Sequence, residues 1–158
     1  MESDIYLAQS NEDFEEARML ISEYFELLGN RGLDISSYVT ELSELKKKYS
    51  KQVGGALLLA SIGDQPQGCC SIQKLSEDTC ELKRMFIRSA HRGSGVGQLL
   101  LWEAMNEAKH LGYSYLRLDI LPEMNEAIHI YKKAGFKEIT WNKEHSNKIY
   151  MEVDLYEF

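Results

Sequence analysis

The stretch Met85-Phe86-Ile87-Arg88-Ser89-Ala90-His91-Arg92-Gly93-Ser94-Gly95-Val96-Gly97 passes from an apolar run into alternating glycines, and then into Gln98-Leu99-Leu100-Leu101-Trp102. Glycines at every second position remove the Cβ atoms that keep a ligand away from successive N–H groups. A helix starting there adds unpaired donors and the positive end of its dipole. The pattern suits an anion, phosphate above all; a flexible turn is the plain alternative. It is not the dinucleotide fingerprint, because Gln98 stands where a third glycine belongs after Gly93 and Gly95. It is not a P-loop either, because no Gly-Lys-Ser/Thr follows.

Upstream of the loop, Cys80 to Arg88 reads as a strand. Downstream, Leu101, Ala104, Met105, Ala108 and Leu111 recur at helical spacing until Gly112. Tyr115 to Ile120 then alternates as another strand. Strand, loop, helix and strand form a βαβ unit, whose two strands run parallel with a right-handed crossover. Before it, Ile5 to Ala8 is a short strand. The residues Phe14, Ala17, Leu20, Ile21, Phe25 and Leu28 mark a helix from Asn11 that Gly29 ends. A loop from Asn30 to Ser37 leads to a polar helix marked by Tyr38, Leu42, Leu45 and Tyr49, with Lys46 to Lys48 as a solvated end. Ala56 to Ile62 and Gly68 to Leu75 pair as a hairpin across the turn Gly63-Asp64-Gln65-Pro66, and Ser76 to Thr79 turns the chain again. After Pro122, Asn125 can cap a helix with Ala127, Ile130, Tyr131 and Ala134 on one face, closed by Gly135; strands near Lys137 to Trp141 and Ile149 to Leu155 follow.

The chain of 158 residues suits one domain, residues 1–158, with a core that needs no staples. Its 18 basic and 25 acidic residues give a formal charge of 18 − 25 = −7, which argues against a nucleic-acid partner. The start MESDIYLAQS has neither part of a signal peptide, and no run approaches the roughly eighteen apolar residues of a membrane span. A cytoplasmic protein without a membrane partner is expected. Cys69, Cys70 and Cys80 fit neither a zinc site nor a disulfide framework. They read as buried, inert thiols. His91, His129 and His145 have no Cys or Asp neighbour at nucleophile or metal spacing, so no metal is expected.

Element order and local residues together resemble the GNAT superfamily of acyl-CoA-dependent N-acetyltransferases. The segment Met85 to Gly97 is similar to that family's Arg/Gln-x-x-Gly-x-Gly/Ala signature, with Arg92, Gly95 and Gly97 in the defining positions. Asn125 to Phe136 resembles its Asn-x-x-Ala-x-x-x-Tyr-x-x-x-Gly-Phe arrangement. Ser89 departs from the proline found in many members, which makes the approach to the loop less rigid. The resemblance implies a mixed α/β fold: a central, mostly antiparallel sheet with one splayed parallel strand pair, flanked by about four helices.

It also implies acetyl-CoA as co-substrate. The pyrophosphate would sit on the amides of Arg92, Gly93, Ser94, Gly95, Val96 and Gly97. The strand at Met85, Phe86 and Ile87 would pair its backbone with the pantetheine arm where it splays from Tyr115 to Ile120.

A lysine-like amine, with pKa near 10.4, costs roughly 4 to 5 kcal/mol to deprotonate at pH 7. Glu81, near which family members often carry proton-relaying acidic residues, is the candidate base; a solvent-facing strand glutamate is the alternative. The leaving thiolate needs a donor, and Tyr131 matches the family's usual one; a tyrosine packed on the helix face is the alternative. Asn125 can cap its helix, contact the cofactor, or do both. Direct transfer in a ternary complex is preferred to a covalent acyl-cysteine.

In this family the first two helices and their joining loop, here about Gly29 to Tyr38, wall the acceptor site. Glu23, Glu26, Asp34, Glu41 and Glu44 make that region acidic, either to favour a cationic amine or as a solvated face. A small-molecule amine is the expected partner, and a homodimer is left open. A non-catalytic acyl-CoA sensor of the same fold and a transferase of another acyl group are the competing readings.

Overall fold

The computed structural model describes residues 2–30, 32, 35–36, 38–140 and 147–157. Among them, strands β1 (Ser3–Leu7), β2 (Ala56–Ile62), β3 (Gln65–Lys74), β4 (Thr79–Ile87), β5 (Tyr115–Ile120), β6 (Lys137–Ile139) and β7 (Ile149–Asp154) form a sheet in the order β1-β2-β3-β4-β5-β7-β6. Every pairing is antiparallel except β4 with β5. The mixed sheet and its one parallel pair are as the sequence implies. The helices are α1 (Asn11–Asn30), α2 (Tyr38–Ser43), α3 (Leu45–Lys48), α4 (Val96–His110) and α5 (Asn125–Lys133).

The middle of the sheet is buried on both faces. Strand β2 is buried along its whole length, with Leu58 and Ala60 facing the α4 side and Leu57 and Leu59 facing α1. On the first side Leu100, Leu101, Ala104 and Met105 of α4 pack on Ile72, Leu82, Leu116 and Met151; on the other, Ala17, Leu20, Ile21 and Phe25 of α1 pack on Leu59, Cys69 and Phe86. Such two-sided burial explains why β2 reads as a continuous apolar run, whereas β5, buried only at every second residue, alternates.

Several boundaries differ from expectation, each for a local reason. Helix α1 continues through Gly29 to Asn30, because that glycine serves packing: a Cβ there would come within 3.2 Å of Ile35 Cδ1. The start of α1 is fixed by a reciprocal cap, the Asp13 N–H donating to Ser10 Oγ at 3.0 Å and the Ser10 N–H to Asp13 Oδ2 at 3.2 Å. The polar helix expected across Tyr38 to Tyr49 breaks at Glu44 into α2 and α3, which makes five helices where about four were implied. Lys48 is no solvated end; it donates to Glu41 at 2.6 Å. The hairpin turn shrinks to Gly63-Asp64, since Pro66 already pairs with Ser61.

Asn125 does not cap α5. It is the first helical residue, exposed, after Met124, and the cap carries no side-chain hydrogen bond. Asp34, His145 and the far end of the strand expected to reach Trp141 lie outside the described residues.

The decisive departure from regularity lies between β4 and β5. Their pairing joins Thr79 to Tyr115, Cys80 to Leu116 and Glu81 to Arg117, and stops there, although β4 runs on to Ile87 and β5 to Ile120. On its other side β4 carries a bulge: Ser71 pairs with Lys83 and Cys69 with Phe86, so three residues of β4 span two of β3. Arg84 sits at the bulge with φ 57, a left-handed conformation that costs a non-glycine residue about 1 to 3 kcal/mol.

Candidate active site

The site is the opening between β4 and β5, with the glycine loop at one end. Ser89–His91 forms a 3-10 turn that leads into the loop. The rigidity that a proline would lend at Ser89 comes instead from Arg88, whose guanidinium reaches Glu23 of α1 at 2.6 Å and donates to the Pro66 carbonyl at 3.3 Å. Arg92 Nε donates to the Ile87 carbonyl at 3.0 Å, folding the loop back on the end of β4. Gly93 and Gly95 have φ 80 and φ 90, and a Cβ on either would meet no atom within 4 Å. Gly95 caps α4 without a side-chain acceptor, so the first N–H groups of the helix stay available to an anion. Such a loop suits an anion at Gly93, Gly95, Val96 and Gly97, whereas the N–H groups of Arg92 and Ser94 are donated to the Ser89 and His91 carbonyls at 3.3 and 3.4 Å.

Past Glu81, β4 has no partner strand on the β5 side, and Arg84 and Met85 fall outside the β3 register too, where the Arg84 carbonyl accepts from Cys69 Sγ at 3.5 Å. Met85 and Ile87 are half-buried toward the α4 side, while Phe86 lies under α1 with its ring 5.8 Å from that of Tyr24. Any contact Phe86 makes with a ligand in the opening is therefore through its backbone.

Tyr131 and Glu81 belong to opposite faces of the sheet. Tyr131, on α5, is buried among the α4-side core with Phe136 edge-on at 5.6 Å. Burial raises its phenol above the ordinary value, and Cys70 and Tyr24 push the same way. Glu81 is buried on the α1 side, in register with Gln73 of β3 and Arg117 of β5. Arg117 in turn pairs with Glu152 at 2.7 Å, which makes a polar row across the sheet.

Half of the acidic wall expected from Glu23, Glu26, Glu41 and Glu44 is absorbed by the protein's own cations. Glu23 holds Arg88. Glu41, 6 % exposed, accepts Nε and Nη2 of Arg84, both at 2.7 Å, together with Lys48. Burial alone would raise the Glu41 carboxyl, but the Arg84 and Lys48 hydrogen bonds and charges prevail and hold it at about 2. The Arg84 guanidinium is roofed by the rings of Phe25 at 5.1 Å and Tyr38 at 4.8 Å. Only Glu26 and Glu44 of these four carboxylates remain exposed.

Sequence reasoning missed Arg84, Tyr24, Lys83 and Arg117. One signal was present: the inward residues Cys80 and Leu82 are followed by Met85 and Ile87, and the step of three betrays the bulge.

Cys69, Cys70 and Cys80 are buried and free, as expected. Burial pushes Cys69 and Cys80 up to about 12 and Cys70 well above its ordinary value, which disfavours the thiolate form at each. His91 is half-buried beside the loop and His129 is exposed.

A βαβ unit with an anion-ready turn and a parallel pair that opens beyond three residue pairs is the architecture that the resemblance to the GNAT superfamily implies. Residues 15–136 match the Acetyltransferase (GNAT) family, and the chain belongs to it. An uncharacterized N-acetyltransferase of Schizosaccharomyces pombe is 29% identical over 147 residues, covering 91% of this chain and 90% of the relative. Among solved structures, a GNAT-family acetyltransferase of Staphylococcus aureus superposes with TM-score 0.80 at 20% identity, covering 98% of this chain and 99% of that one. A PaiA N-acetyltransferase of Thermoplasma acidophilum, in complex with coenzyme A, gives TM-score 0.71 at 22% identity, with 98% and 99% covered. Among the described residues no helix is long and apolar enough to cross a membrane.

Proposed function

We propose that the protein transfers the acetyl group of acetyl-CoA to the primary amine of a small molecule, by direct attack within a ternary complex. The observation that carries this is the end of the β4–β5 pairing at the buried Glu81, although β4 runs on to Ile87 and into the glycine loop. The loop at Gly93 to Gly97 provides amides for the pyrophosphate, and the backbone from Leu82 to Ile87, without a partner on its β5 side, provides an edge for the pantetheine arm. The coenzyme A complex of the Thermoplasma relative supports the same ligand here.

The chemistry follows from the groups present. Glu81 takes a proton from the ammonium, directly or through water. The freed nitrogen attacks the thioester carbonyl, a C–N bond forms, and its oxygen gains negative charge. Arg84 and Met85, outside the ladder on both sides, contribute backbone donors for that oxygen. The C–S bond then breaks, the thiolate leaves, and the second proton on the acylated nitrogen passes to solvent.

A phenol of ordinary pKa is already a weaker acid than the thiol by about 1.5 units, roughly 2 kcal/mol, and burial widens the gap at Tyr131. Tyr131 therefore stabilises the departing thiolate with a hydrogen bond, and solvent supplies the proton. Amide and free thiol are the products. A panel of primary amines with acetyl-CoA, followed by thiol release, tests the reading; absence of release with every amine would leave a binding protein of the same fold.

Two expected results follow from the site. Gly95→Val places a β-branched residue at φ 90 and covers the cradle, so acetyl-CoA affinity should fall at least tenfold, about 1.4 kcal/mol. Calorimetric titration of a variant with native circular dichroism checks this, and unchanged affinity contradicts the assignment of the loop. Glu81→Gln should slow turnover most at pH values where the acceptor is an ammonium, with the defect shrinking as pH passes the amine's pKa. A loss equal at all pH values points to structural damage, and no loss removes Glu81 from the proton path.

A further inference from the structure

We infer that the acceptor carries a carboxylate as well as its amine, and that Lys83 binds that carboxylate; the inference rests on the transferase reading above. Lys83 lies on β4 two residues beyond Glu81. Cys80 and Leu82 point into the α4-side core, so Glu81 and Lys83 project together from the opposite face, where the β4–β5 pairing ends. Helix α1 packs over β2, β3 and β4 on that face. Lys83 therefore stands between the helix-covered part of the sheet and the opening.

The surroundings of its ammonium are unusual for a lysine. Half-buried, Lys83 donates to Gln73 Oε1 at 3.0 Å, a neutral amide. Burial lowers its pKa first, and the cations Arg84 and Lys48 push the same way, against Glu81 and Glu41. Neither carboxylate is free to serve it fully: Glu41 already accepts two bonds from Arg84 and one from Lys48, and Glu81 is the proposed base. A partly desolvated cation beside two others is stabilised by an incoming anion, which restores the charge pairing that burial has removed. An acidic wall selecting a plain cation would predict the reverse, and Glu23 and Glu41 are spent on Arg88 and Arg84.

Spacing points to a compact molecule. Side chains two residues apart on a strand face stand roughly 6.5 Å apart at their roots. A short molecule with an ammonium at one end and a carboxylate at the other spans from Glu81 to Lys83 as an amino acid would. The amine then lies beside the base and the carboxylate beside the lysine, so one contact pair sets both affinity and the direction in which the nitrogen faces the opening.

The test compares short amino acids with their carboxamides as acceptors, in wild type, Lys83→Met and Lys83→Arg, reading kcat/KM by thiol release. Carboxamides have more acidic ammonium groups, which affects all three proteins alike, so the informative quantity is the acid-to-amide ratio. Wild type should favour the acids; Lys83→Met should lower the ratio at least tenfold, mainly through KM, and Lys83→Arg should restore part of it. An equal ratio in wild type and Lys83→Met, or a wild-type ratio favouring the amides after correction for amine ionisation, overturns the inference and leaves the transferase reading standing. No thiol release with any amine, while acetyl-CoA still binds, contradicts the transferase reading itself and this inference with it.

Discussion

Tyr131→Phe is expected to lower kcat by about ten- to a thousandfold, the range for a lost transition-state donor or general acid, while acetyl-CoA affinity stays nearly constant. The ring that packs edge-on against Phe136 is kept and only the hydroxyl is deleted, so thermal stability should hardly change. The separation between binding and turnover is the informative part. A structural role would move the melting temperature, and a role in holding coenzyme A would move the affinity; a donor to the thiolate moves only the chemical step. Steady-state thiol release beside a calorimetric titration of both proteins reads the difference. Full activity in the variant would assign the thiolate's stabilisation to water or another group.

The second large effect concerns stability. Glu41→Leu removes the carboxylate from a buried pair and leaves the Arg84 guanidinium beneath Phe25 and Tyr38 without its two hydrogen bonds. Breaking one side of a buried ion pair costs about 3 to 5 kcal/mol. In a chain of this size that lowers the melting temperature by about 6 to 20 °C. The cost arises chiefly from the orphaned cation, so Glu41→Leu with Arg84→Met should recover at least half of the loss. Failure to recover would mean that Glu41 acts through α2 and α3 and not through Arg84.

The same carboxylate makes a pH signature. Its folded pKa of about 2 lies below the ordinary 4.5, so between these values the unfolded chain binds a proton that the folded chain does not. Its stabilisation is complete above about pH 4.5 and is lost as pH falls toward 2. Denaturant midpoints measured down that window should fall less steeply in Glu41→Leu than in wild type.

These two residues differ in how far the sequence reveals them. Tyr131 lies in a contiguous pattern, Asn125 to Phe136, and the loop from Arg92 to Gly97 carries its meaning in glycine spacing alone, because backbone access to an anion is a local property. The βαβ unit is legible for the same reason, since helical and strand periodicities sit side by side. Glu41 is different. It joins Arg84 across 43 residues, in a short helix whose polar neighbours read as a solvated face, and no periodicity marks a partner so distant.

Asn125 shows the opposite failure. A good capping residue stands at the right place, yet the chain enters α5 one residue earlier, and the asparagine is left exposed at the first turn. Local preference names a role there and the path of the preceding turn reassigns it. The acidic region fails for an electrostatic reason. Charges counted along the sequence do not reveal that Arg84, Arg88 and Lys48 neutralise two of them.

The central claim is that acetyl passes directly from coenzyme A to an amine in the opening between β4 and β5. Initial rates of thiol release, measured over a grid of acetyl-CoA and the best acceptor concentrations with the product mass determined, test it most directly. Intersecting double-reciprocal lines and an acceptor heavier by one acetyl group are the predicted result. Parallel lines, which report a covalent acetyl-enzyme, or thiol release whose rate is independent of the amine, would contradict it.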